Sequence, residues 1–330
     1  ISFSELISNL LAFFVLVPSL IIMALSSRTD FYEVDKSIRS TLIRQSSHIT
    51  QLTDNWLQNR SSAITSLAEL AATRSPQEMQ YHLEQAVTSD ANILHVSLIN
   101  TEAYSTASFP PKDETDQNSV GVHFAEQPYI VALKNNRKPM LFKGPPAKNV
   151  PSRPIFQLLV PVSIDGNYGG YVSGLLDFQH AQEHFTRSSE FIGTFYTLLD
   201  KNNKVLITNR PDQKVMQSFV RAPGIMHHLN DGISQWIPAK IPANTPIMER
   251  WKESVYLTES TITNLAEWRL IFEQPVVPAQ KMLYHKYTQK LTVLALILLV
   301  SLFLAELLSR RINNIFERLG QITYHLSEKV

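Results

Sequence analysis

Residues 155–178 read IFQLLVPVSIDGNYGGYVSGLLDF. The bulky apolar run Ile155–Ser163, too short to cross a membrane and rich in branched side chains, predicts a strand. Gly166, Gly169 and Gly170 permit tight turns, so Gly166–Phe178 reads as the next hairpin, closing on Asp177. The same pattern lies on both sides. Upstream, Ile93–Ile99 (ILHVSLI) alternates, Asn100 and Thr101 make a turn, and Ala103–Phe109 returns, with a polar loop over Pro110–Val120. A short helix is predicted over His123–Lys134 (HFAEQPYIVALK) and a strand over Pro139–Lys143. Downstream, Phe195–Leu199 (FYTLL), a turn over Asp200–Asn203 and Val205–Thr208 restart the plan. Ser254–Leu257 and Trp268–Gln274 come next as later strands. Antiparallel strands in two successive sets, each behind helices, define an α+β class with two tandem modules, divided near Ser188.

In front of the first module, Ser75-Pro76-Gln77-Glu78 supplies a capping serine, a proline at the first helical position and an acidic residue, so a helix is predicted to about Val87. Thr29–Arg74 is nearly free of glycine and proline. Its apolar residues recur at helical spacing: Ile38, Leu42, Ile49, Leu52, Trp56, Ile64, Leu67 and Leu70. One long amphipathic helix is expected, either packed on its own domain or paired with its copy in a dimer, where it could carry displacement to the membrane.

A helix crosses the bilayer core with roughly 20 apolar residues, because unpaired backbone amides cannot persist in hydrocarbon. Leu6–Leu25 (LISNLLAFFVLVPSLIIMAL) holds no ionisable side chain, and Pro18 predicts a kink. Leu291–Leu308 (LTVLALILLVSLFLAELL) holds only Glu306, one turn from Arg310 and Arg311, where it snorkels to the interface. The first segment has neither the basic start nor the small-residue cleavage pattern of a signal peptide, so it is expected to persist as an anchor. Basic residues balance across the second span, with Lys281, Lys286 and Lys290 before it and Arg310, Arg311 and Arg318 after it, so charge does not set the orientation. A chain opening on Ile1 and ending inside a charged helical pattern at Val330 is expected to belong to a longer protein.

The formal net charge is +1, with 30 basic and 29 acidic residues, which argues against a nucleic-acid surface. With no cysteine, the chain has no disulfide framework, thiolate metal site or cysteine nucleophile. It carries no G-x-S-x-G, P-loop or dinucleotide glycine pattern, and 10 glycines in 330 residues leave little for phosphate-cradling loops. His180-Ala181-Gln182-Glu183-His184 matches the H-x-x-E-H pattern of one metalloprotease class, yet no third ligand is recognisable. His227 and His228 are adjacent and point apart. No catalytic activity, cofactor or metal is assigned to these residues.

The order FAEQPYIVALK, PIFQLLVPVS, GGYVSGLLDF, FYTLLDKNNKVLIT resembles the double Cache (dCache) family of extracytoplasmic sensors, over nearly everything between the spans. The family pattern has a short helix with a Pro-Tyr or Trp-Tyr pair, a strand ending in apolar-Pro-apolar, and a Gly-rich hairpin closing on Asp. Pro128 with Tyr129, Val160-Pro161-Val162 and Asp177 stand there. The resemblance implies tandem PAS-like modules, a small molecule bound in the membrane-distal one, and a transmitting proximal one. Tyr129 and Asp177 match pocket positions. The family's Arg-x-Trp-Tyr signature for amino-acid carboxylates is broken, since Glu126 and Pro128 replace its arginine and tryptophan. Arg153, Lys143 and Lys148 are the nearby cations a carboxylate would need. Glu126 and Asp177 with Tyr129, Phe124 and Phe156 would instead suit an amine. Core packing of Tyr129 and Phe156, and a solvated Arg153, are the plainer alternatives.

After the second span, Ile312, Ile315, Leu319, Ile322 and Leu326 keep near-heptad spacing, as in the first helix of a HAMP linker or a plain parallel coiled coil, and either makes a homodimer. The expected layout is a cytoplasmic edge (1–5), a span (6–25), a long helix (26–74), a distal module (75–187) and a proximal module (188–280). A connecting helix (281–290), a second span (291–308) and a signalling helix (309–330) complete it. The layout predicts a bacterial inner-membrane receptor with 26–290 outside the cytoplasm. Its output would be a histidine kinase, with a diguanylate cyclase, a chemoreceptor or a protein-docking receptor as alternatives.

Overall fold

The computed structural model describes residues 3–113, 116–143, 155–178, 193–262, 265 and 267–327. Arg153, Lys148 and the His180–His184 string lie outside them. The chain divides into two compact units, Arg39–Pro275 and Ile1–Ile38 with Val276–Val330.

Helix α1 runs unbroken over Phe3–Ala71 with Pro18 inside it. Within the larger unit it buries Leu42, Ile49, Leu57, Ile64, Leu67 and Ala68, one stripe at the helical period. Helix α2, Pro76–Ser89, starts with the predicted capping box: Ser75 Oγ accepts from the Glu78 amide, and the Glu78 carboxylate accepts from the Ser75 amide at 2.8 Å. Those bonds hold the Glu78 carboxyl below its usual range.

The first sheet is antiparallel, with strand order β2-β1-β5-β4-β3, built from β1 (Ile93–Ile99), β2 (Ser105–Phe109), β3 (Met140–Lys143), β4 (Ile155–Ile164) and β5 (Asn167–Asp177). Strands alternate their side chains between faces, which separates two clusters. Val96, Leu98, Leu158, Val160, Val162, Val172 and Leu176 pack with Ile64 of α1 and with Met79 and Leu83 of α2. On the other face Ile99, Leu159 and Tyr171 pack under helix α3, Tyr129–Asn136. Gly174 lets α1 lie on the sheet, because a Cβ there would meet Ile64 Cδ1 at 2.7 Å.

Two local expectations shift. Helix α3 begins at Tyr129, not His123, because His123 bridges Tyr104 and stacks on its ring at 4.3 Å, and Phe124 donates its amide to Ala103. In place of a hairpin within Gly166–Phe178 there is one long strand, β5, and the turn is at Asp165–Gly166, both at positive φ, joining β4 to β5.

The second sheet has strand order β7-β6-β11-β10-β9-β8. Its strands are β6 (Phe195–Leu199), β7 (Val205–Thr208), β8 (Gly224–His228), β9 (Ile233–Pro238), β10 (Val255–Ile262) and β11 (Trp268–Pro275), with helix α4 at Ile247–Lys252. Apart from the added edge strand β8, the order repeats that of the first sheet. The opening hairpin repeats in detail: Ser97 pairs Ser108 and Ile99 pairs Ser105, while Thr197 pairs Thr208 and Leu199 pairs Val205, with the same irregularity before Ile99 and Leu199. Asn100 and Asp200 cap the turns alike, each accepting from the amides two and four residues on, and Ala103 and Asn203 take the same positive φ.

Edge-to-face contacts join Phe156 and Phe178 to each other and to Trp268 at 4.9–5.1 Å, and Trp56 of α1 packs tilted against Phe178 at 4.4 Å.

In the smaller unit, α1 and helix α5 (Val277–Ser327) each contain a stretch long and apolar enough to cross a membrane. Their apolar side chains face outward, Phe13 at 63% and Phe303 at 64% exposed, as lipid contact requires. Lys290 bonds Asp30 and Ser26, and the Tyr287 hydroxyl donates to the Ser27 carbonyl at 3.1 Å. Glu306 pairs with Arg310 at 2.9 Å.

Candidate functional site

The α3-facing side of the first sheet is polar where α3 does not cover it. The pairings Gln157–Leu175–His95 and Leu159–Ser173–Ser97–Ser108 form two adjacent rows across β4, β5, β1 and β2. Hydrogen bonds run along them. Gln157 Nε2 donates to Ser173 Oγ at 2.8 Å and reaches the Tyr129 hydroxyl at 3.4 Å. Ser97 Oγ and Ser108 Oγ are 2.8 Å apart, and Ser108 Oγ lies 2.9 Å from His95 Nε2. Tyr129, against the rings of Phe142 and Tyr171, walls the site. Asp177 belongs to the same face two residues beyond Leu175; its carboxylate is buried and its amide donates to the Asn92 carbonyl.

The electrostatics are set by burial. Desolvation lowers the His95 pKa below the ordinary histidine value, against the opposing pull of the Pro110 carbonyl and Asp113, so the ring is neutral at neutral pH. Burial pushes the Tyr168 phenol up to about 12 and raises Tyr171 further, with Tyr129 adding to the effect. Among the described residues, the buried Tyr171 OH and Ser105 Oγ make no hydrogen bond of good geometry. Polar groups in that state are costly, and they gain most when a ligand supplies the partner.

The structure places Asp177 on this face and Tyr129 against it, and sets Phe124 against the α3 cluster. It separates the others. Phe156 lies on the opposite face among Phe178 and Trp268. Lys143, its cross-strand neighbour, is exposed at the end of β3, and Glu126 is exposed in the turn before α3. His95, Ser97, Ser108, Gln157 and Ser173 were not singled out from sequence. The period-two alternation of ILHVSLI, with His95 and Ser97 opposite Val96 and Leu98, is the signal that marks them. An open cavity of about 240 Å³ lies between α1 and β10, lined by Ser46, Ser47, Thr50, Asp231, Thr258 and Ser260 among others. Among the described residues no group of three or more His, Asp or Glu side chains could hold a metal ion.

No protein-family model and no curated protein matches the chain. Solved structures do. The ligand-binding domain of the amino-acid chemoreceptor PctB of Pseudomonas aeruginosa PAO1, in complex with L-Arg, aligns at TM-score 0.51 and 19% identity, over 75% of this chain and 92% of that one. That of the Pseudomonas fluorescens chemoreceptor CtaA, in complex with L-isoleucine, aligns at TM-score 0.54 and 15% identity, over 78% and 98%. The chain has the double-Cache fold. In double-Cache terms the first sheet, with α2 and α3, is one module and the second sheet, with α4, is the other. The repeated hairpin is their shared core.

Proposed function

We propose that this chain is the sensory part of a two-span bacterial receptor whose first Cache module binds a small amine or similar hydrogen-bonding metabolite against His95, Ser97, Ser173, Gln157, Tyr129 and Asp177. The observation that carries the reading is the buried polar face itself. One side of the sheet is a filled apolar core, while the other holds hydroxyl, amide, imidazole and carboxylate groups, including the buried Tyr171 hydroxyl. Solved domains of the same fold, crystallised with L-Arg and L-isoleucine, support a small-molecule ligand. Asp177 favours an amine, and Lys143, a cation that a carboxylate ligand would need, stands on the other register. The receptor sits in the inner membrane through α1 and α5 as a homodimer, with 26–290 outside the cytoplasm. Ligand shifts the population of one packing of these helices over another, which requires differential affinity for the two states. The output is a histidine kinase, and autophosphorylation of the full-length protein in membranes tests that part.

The ligand reading is tested by thermal unfolding of the chain in detergent against amines, amino acids, carboxylates and purines, repeated with Asp177→Asn and Tyr129→Phe. One class is expected to raise the midpoint of the parent chain, and each substitution to abolish the rise. If no class shifts the midpoint, the first module docks a protein instead.

A further inference from the structure

The second module holds at the matching position a site that is already filled. His95 pairs Leu175 in the first sheet and Phe195 pairs Glu273 in the second, each two residues before the hydroxyl pair, Ser97–Ser108 or Thr197–Thr208, that fixes the equivalence. Glu273 therefore stands where Leu175 forms the floor of the candidate site. It is fully buried, with Arg210 Nη1 and Arg221 Nη1 each 2.5 Å from one of its two oxygens. Arg210 has a carboxylate of its own, gripping Asp212 through Nε at 2.9 Å and Nη2 at 2.7 Å. Arg221 balances Glu273, and its guanidinium lies 5.5 Å from the Phe219 ring and 5.9 Å from the Trp236 ring. The segment that carries it is pinned, since Gln213 and Val220 bond reciprocally and Phe219 and Asn203 do the same.

We infer that Arg221 is a built-in ligand of the second module, a guanidinium held by Glu273 and aromatic rings at the position that matches the first module's candidate site. A carboxylate floor and aromatic walls are the chemistry that binds an organic cation. Supplied by the chain, the cation has an effective concentration no metabolite reaches, so the second module stays closed while the first reports ligand. Glu273 is also two residues from the end of β11, which passes at Val277 into α5, so the filled site fixes the strand that leads to the output helix.

Truncating the side chain should open a pocket for a free guanidinium. Arg221→Ala in the whole chain, in detergent, is expected to unfold at a lower temperature than the parent. Methylguanidinium chloride at ten times its dissociation constant should then raise the midpoint by about 3–6 °C over equal sodium chloride. The parent chain and Arg221→Ala/Glu273→Gln should show no such rise. A rise of equal size in the parent, or none in Arg221→Ala, overturns the inference. If Arg221→Ala is recovered only unfolded, refolding with methylguanidinium but not with methylammonium supports it, and failure with both overturns it.

Discussion

Replacing Trp268 with alanine removes a ring that Phe156 and Phe178 both meet edge-on, at 5.1 and 5.0 Å. The ring is 4% exposed and stands at the start of β11, so β4 and the residue that follows β5 in the first module touch the second module's last strand through it. Deleting a buried tryptophan costs about 3–5 kcal/mol, the transfer term plus the cavity left behind. Near 200 residues each kcal/mol moves Tm by about 2–4 °C, so a fall of about 6–20 °C is expected by tryptophan fluorescence and near-ultraviolet circular dichroism in detergent. The milder pair Trp268→Leu and Phe178→Leu tests the contact itself. Edge-to-face rings contribute about 0.5–1.5 kcal/mol beyond their area, so the double-mutant cycle should show a coupling of that size. If the cycle closes within about 0.3 kcal/mol, the rings do not cooperate and the modules are joined elsewhere. A second readout is cooperativity: the parent's Arg39–Pro275 unit should melt in one step and Trp268→Ala in two.

Ser75→Ala removes the capping hydroxyl of α2 and is expected to cost about 1 kcal/mol, read as a lower unfolding midpoint, with Ser75→Asp recovering most of it. His95 is held neutral by burial among Ser97, Ser108, Asp113 and the Pro110 carbonyl. Its folded pKa lies below its unfolded value near 6.5, so in that window the unfolded chain binds the extra proton and stability falls as pH drops. The slope is at most about 1.4 kcal/mol per pH unit, levelling off below the folded pKa, and denaturant titrations of His95→Gln should lack this component. Because the chain has no cysteine, Ile315→Cys gives a single thiol on a side chain 53% exposed, and oxidation in membranes should yield a disulfide-linked dimer if α5 pairs in parallel. Monomer alone would remove the coiled-coil reading.

Local rules account for the parts of the fold that were legible in the sequence. The capping box at Ser75 and Glu78, the apolar stripe of α1 and the Asp200–Asn203 turn each depend on neighbours within a few residues, and each stands where those rules place it. The start of α3 was not legible, because the bridge that keeps His123 out of the helix comes from Tyr104, in a hairpin 19 positions earlier. Strands β8 and β9 escaped for a different reason: all five residues of β8 are exposed, so no apolar alternation marks it. In the site, Tyr129 and Asp177 came from motif positions, whereas Phe156 was chosen by residue type alone. Which face a ring takes depends on register, and one step along β4 puts Phe156 among Trp268 and Phe178 while Gln157 faces Tyr129.

The duplicated plan then accounts for how the two modules differ. The backbone solution is shared down to the hydroxyl pair beneath each sheet, so the difference rests on few side chains. At the floor position Leu175 is apolar and half-buried, and asks for nothing. Glu273 at the equivalent place cannot be buried without a cation, and the segment after β7 supplies one. A leucine at position 273 would leave Arg221 with no counter-charge. A glutamate at 175 would likewise need a cation, from the chain or from a ligand, to stay buried in the first module.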